Sequence, residues 1–211
     1  MVCVNNGYWY LIQRVTVLER CIVDRNNYGP LAILIGRWSS GTGWTGENRA
    51  PDPDRVVENT KFRQETLFEP IGDAENHEQI LYGLRYSTKA WEEGDDEKPF
   101  HEEVGYWLWD AKNGQVMKCF NIPRGMSILA GGKAHSNSKI FEMSAELGSE
   151  IYGLSSNKFL DNEFKTIRYD VKIEILDENT FSYDEDTQIQ IKGQSNIFHH
   201  TEKNVMKRVS D

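Results

Sequence analysis

A chain of 211 residues with 38% apolar and 27% charged side chains is long enough to bury one sizeable core and has the balance of an ordinary soluble domain. Its formal charge of -9, with no run of Lys or Arg, argues against nucleic acid or an anionic membrane as a partner. Three cysteines without metal-type spacing (Cys3, Cys21 and Cys119) argue against a disulfide scaffold, and no window reaches the ~18 apolar residues of a membrane span.

Residues 1–27 have mixed periodicity and are set apart as an N-terminal extension, with the domain taken as 28–211. The apolar patch Tyr8 to Ile12 has no basic residue before it, so no secretory signal is expected and the cytoplasm is the default compartment. Pro30 to Ile35 predicts one short helical turn, with Pro at its first position. Gly36 to Trp44 predicts a first strand that bends at its glycines, and Glu47 to Asp54, with Pro51 and Pro53, predicts a loop. Lys61 to Pro70 alternates, with Phe62, Thr66 and Phe68 on one face and Gln64 and Leu67 as exceptions. A polar turn is expected over Ile71 to His77, then a strand from Gln79 to Trp91.

The acidic stretch Glu92 to Lys98 reads as a solvated hairpin tip, because its spacing does not match a loop that wraps calcium. His101 to Trp109 and Gln115 to Ile122 flank Asn113-Gly114, a strong hairpin signal. Met126 to Ala134 and Lys139 to Glu146 follow, and Tyr152 to Glu163 is irregular. Thr166 to Leu176 alternates most cleanly, with Ile167, Tyr169, Val171, Ile173 and Ile175 inward. Phe181 to Ile191 and the tail from Phe198 complete the set. Ten strands, short turns and no βαβ alternation predict an all-β antiparallel up-and-down barrel, with a two-sheet sandwich as the alternative.

Neighbouring strand residues face opposite sides, so His199 and His200 cannot ligate one ion together. His200 shares its phase with Phe198, Glu202, Asn204, Met206 and Arg208, and His199 with Lys203 and Lys207; two lysines are better outside, which puts His200 inward. His77, His101 and His135 are unpaired at chelating spacing, and Glu102 and Glu103 face apart. No Gly-x-Ser-x-Gly elbow, P-loop or dinucleotide turn is present. The tryptophans, with Trp107 and Trp109 on one face, suit a core and also a wide apolar ligand.

Leu31-Ala32, Leu34-Ile35-Gly36-Arg37-Trp38, Pro99 to Tyr106, Pro123-Arg124-Gly125 and the His-containing tail ending at Arg208 resemble, in that order, the nitrobindin family. The resemblance covers residues 28–209 and implies a fatty-acid-binding-protein-like barrel holding ferric heme b. It also implies nitric oxide binding, peroxynitrite isomerisation to nitrate, and a homodimer. The position matching the family's iron ligand is His200, and Gly36, Trp38, Gly41 and Gly43 stand in for its first-strand Gly-x-Trp-x-Gly-x-Gly pattern, with the last two glycines one place late. The alternative is a non-enzymatic barrel for a fatty acid or another small apolar ligand.

Overall fold

The computed structural model describes residues 24–210 apart from Thr42 and Pro53, so the 1–27 extension falls almost wholly outside the described residues. Strands β1 (Gly36–Ser39), β2 (Gly46–Pro51), β3 (Val57–Asn76), β4 (Gln79–Glu92), β5 (His101–Asp110) and β6 (Gln115–Ile122) are followed by β7 (Met126–Lys133), β8 (Ile140–Leu147) and β9 (Gly153–Ser156). A short helix, α1 (Lys158–Glu163), then leads to β10 (Phe164–Asp177), β11 (Thr180–Ile191) and β12 (Phe198–Arg208).

All twelve strands lie in one sheet that closes on itself, because β1 and β2 each pair with both β12 and β3. β1 and β2 together are therefore one stave, interrupted at 40–45. β9 is a wedge between β7 and β8, and its pairing with β8 is the parallel one. The expected ten-strand barrel stands, with three corrections. The loop expected over Glu47 to Asp54 is mostly β2, whose backbone pairs on both sides. The irregular stretch 152–163 contains β9 and α1. The turn expected over Ile71 to His77 is also mostly strand: β3 continues past a bulge at Pro70/Gly72 and turns only at His77, where φ is +53°.

Alternation decides what faces the lumen. On β10 a bulge between Thr166 and Arg168 resets the phase, so Thr166 is buried and Ile167 leaves the inward set expected for it. One end of the barrel, the lower, is closed by a 3₁₀ segment, Arg25–Leu34, which buries Leu31 and Leu34 completely. This segment turns at Gly29 (φ +51°) directly under Trp109, where a Cβ would stand 2.5 Å from the indole. Trp38 Nε1 donates to Leu34 O (2.6 Å), and the Arg208 guanidinium lies 4.3 Å from the Trp38 ring while donating to Ile33 O and Ile35 O. Phe68, Leu84, Met143, Ile173, Phe181 and Met206 fill the lower lumen above this cap. Among the described residues no helix is long and apolar enough to cross a membrane.

Candidate functional site

Above the apolar floor the inward positions change character. Glu103 on β5, Lys118 on β6, Glu185 on β11 and Glu202 on β12 all turn into the barrel, Lys118 between Val116 and Phe120 of its phase and Glu202 between His200 and Asn204. Lys118 Nζ lies 3.2 Å from Glu103 Oε2 and 3.6 Å from Glu185 Oε2, and donates to Tyr169 Oη at 2.7 Å. Tyr169 in turn donates to Glu185 Oε2 at 2.7 Å, and Tyr86 donates to Glu103 Oε2 at 2.5 Å. His101 Nε2 stands 3.2 Å from the other Glu103 oxygen. Buried charges survive only when paired and hydrogen-bonded in this way.

The surroundings sort these groups by charge. Burial alone would raise the Glu103 carboxyl, but Lys118 and the His101 contacts outweigh it and hold it down at about 2. Burial would lower His101, yet the Glu103 hydrogen bond and charge push it up to about 9. Glu185 goes the other way: burial first, then Glu103 and Glu202, outweigh Lys118 and raise it to about 7. Glu185 and Glu202 are direct ladder partners, a like-charge pairing that adds to the larger effect of burial on Glu185. Gln64, the exception in the β3 alternation, also faces in. Its Oε1 accepts from Tyr183 Oη at 2.5 Å and its Nε2 donates to Thr88 Oγ1 at 2.8 Å. The free space enclosed by these groups is about 50 Å³.

His200 and His199 part as their strand requires. His199 is exposed, with Nδ1 2.7 Å from Asp186 Oδ2. His200 faces the upper mouth, with Nε2 3.0 Å from Asn48 Oδ1 on β2 and 3.2 Å from Glu202 Oε1. Beside it on the inward phase lies an apolar cluster of Ile189, Ile191 and Phe198, with Phe164 packed against it. The Arg49 guanidinium lies 4.7 Å from the Phe198 ring centroid, and Arg55 lies 5.3 Å from that of Phe164.

The structure does not gather the other expected positions around His200. Trp38 pairs with Arg208, eight residues along β12 from His200 and so roughly 26 Å away. Gly36 and Trp38 serve the lower cap. Gly41 and Gly43 are exposed, and Thr45 beyond them bonds Asn204, four residues below His200. Glu103, Lys118 and Glu185 were missed as site residues in the sequence reading, and Glu202 was read only as sharing the His200 phase; a lysine between Val116 and Phe120 on one face of β6 was a visible signal.

Residues 27–208 match the family model described as THAP4-like, heme-binding beta-barrel domain. The chain belongs to this family. A solved structure, Rv2717c from M. tuberculosis, superposes with a TM-score of 0.57 at 20% sequence identity, covering 85% of this chain and 95% of the other. That likeness carries the fold alone. No curated protein matches the chain. Membership of a heme-binding β-barrel family, expected from the ordered motifs, is borne out by the family match.

Heme is a flat apolar macrocycle with two carboxylates and an iron that accepts an imidazole. The donor chemistry at the mouth fits it: one imidazole on a strand, an apolar cluster beside it, and two guanidinium groups over that cluster. The lumen below does not, since its free volume is far short of the roughly 300 Å³ at which ligand pockets begin. The same small volume and ionic lining count against the fatty acid considered as the alternative ligand.

Proposed function

We propose that this domain binds heme b at its upper mouth, with His200 as the axial ligand. The observation that carries the reading is the His200 imidazole, turned inward at the mouth of a barrel in a heme-binding family while its neighbour His199 faces solvent. Phe198, Ile189 and Ile191 give the macrocycle an apolar wall that excludes water, and Arg49 is the cation for its carboxylates, whereas Arg55 is held by Glu163 at 2.6 Å. Bound ferric heme would supply an iron site for nitric oxide and for isomerising peroxynitrite to nitrate, the chemistry implied by the nitrobindin resemblance. The ionic layer beneath keeps the lumen closed to the macrocycle.

Hemin titration tests this reading. A Soret band that saturates at one equivalent, lost in His200→Ala and kept in His199→Ala, is the expected result. No Soret shift at stoichiometric hemin would sink it. The cytoplasmic homodimer in the same reading is checked by cell fractionation and by light scattering of the purified protein.

One observation favours a second reading, a barrel for a small polar molecule without heme. Trp107 Nε1 is buried without a partner, and the Trp107 side chain lines the 50 Å³ cavity. Native mass spectrometry of gently purified protein separates the two, since a retained small molecule and no hemin uptake would favour the second.

A further inference from the structure

The contacts of His200 carry an inference that rests on the heme reading and deepens it. Asn48 and Glu202 are direct partners across the β2–β12 ladder, both on the inward phase. His200 lies two residues before Glu202 on the same face of β12, so both side chains converge on one ring nitrogen. Asn48 Oδ1 and Glu202 Oε1 stand 3.0 and 3.2 Å from Nε2. Asn48 is itself oriented, because its Nδ2 donates to Thr60 Oγ1 at 3.2 Å and so turns Oδ1 toward the imidazole.

An amide oxygen and a carboxylate oxygen only accept hydrogen bonds, so Nε2 carries the hydrogen between them. A nitrogen that bears a hydrogen has no lone pair to give to iron. The other ring nitrogen, Nδ1, sits next to the carbon that carries Cβ, and a macrocycle approaching it would meet the strand that bears the ring. We propose that Asn48 and Glu202 are a latch on the heme ligand: they fix His200 as the Nε2–H form and withhold the nitrogen an iron porphyrin needs. Heme uptake then requires release of both contacts: the β2–β12 seam, three residue pairs long, carries the Asn48 contact, and Glu202, on the same strand as His200, must turn its side chain away. Asn48 and Glu202 are positioning residues acting through His200, and they set affinity without touching the iron.

The latch has a readout in the heme-free protein. Nitrogen-15 chemical shifts of the imidazole should report the Nε2–H form for His200, and Asn48→Ala and Glu202→Ala should each shift the ring toward a mixture of tautomers. In hemin titrations Asn48→Ala and Glu202→Ala should each bind about five- to tenfold more tightly than wild type, the size of one hydrogen bond released. Asn48→Asp keeps an acceptor facing Nε2 and should bind no more tightly than wild type. Thermal melts of each variant guard against unfolding. Hemin affinity unchanged or weakened in both Asn48→Ala and Glu202→Ala would overturn the latch and leave the heme reading standing. A Soret band absent from every variant would overturn the heme reading and the latch together.

Discussion

The lower and upper halves of the lumen are built on the same strands and have opposite interiors. Down the β11–β12 ladder the inward pairs run Ile189–Phe198, Thr187–His200, Glu185–Glu202, Tyr183–Asn204 and Phe181–Met206. An apolar lip lies over a polar and ionic layer, and that layer lies over an apolar floor. The floor is finished by the 3₁₀ cap, where Leu31, Leu34 and Trp38 are sealed from water. Stability in the floor comes from apolar area and close packing. The ionic layer is different in kind, because removing charges from water costs about as much as pairing them returns.

Mutations should separate the two halves. Trp38→Ala removes the largest side chain of the floor and its contacts with Leu34 and Arg208, and should cost ~4 kcal/mol in denaturant unfolding. Its hemin binding should be unaffected under conditions where the variant is folded. Lys118→Met leaves Glu185 buried without its cation and Glu103 with only His101, and should cost ~3 kcal/mol. Adding Glu103→Gln to it should recover part of that loss, which a purely apolar packing defect would not allow.

The pH dependence of stability belongs to the ionic layer. Glu185, raised from its ordinary 4.5 to about 7, favours its protonated form in the fold. Its contribution is complete below pH 4.5 and is lost as pH rises to 7. His101, raised from 6.5 to about 9, contributes fully below pH 6.5 and loses that as pH rises through 9. Unfolding midpoints should therefore fall as pH rises from 4.5 to 9, and Glu185→Gln should flatten the portion below 7. Glu103, held at about 2, acts oppositely and stabilises above pH 4.5, a contribution lost as pH falls through 2. The smallest effect is expected of His199→Ala, which removes a half-exposed contact with Asp186. Stability should change by less than about 0.5 kcal/mol, with hemin uptake unaltered.

Much of this was legible in the residues. Alternation in β10, β11 and β12 and the Asn113-Gly114 turn are local signals, because strand geometry forces successive side chains to opposite faces whatever the rest of the chain does. That rule alone separated His200 from His199. It misled at Ile167, where a bulge of one residue resets the phase, and at β2, where proline and polar residues looked like a loop until both neighbouring strands paired with them.

The sequence by itself determined the β class, the near-complete set of staves, the family and the inward imidazole, since each depends on spacing within one segment or on motif order. Only the tertiary structure decided that Gly36 and Trp38 belong to the floor while His200 belongs to the mouth. Only it brought Asn48, 152 residues away in the chain, to His200 Nε2, and converged charged residues from four strands on one layer. Barrel closure and register set those distances, and both are properties of strands pairing far apart in sequence, which no local pattern records.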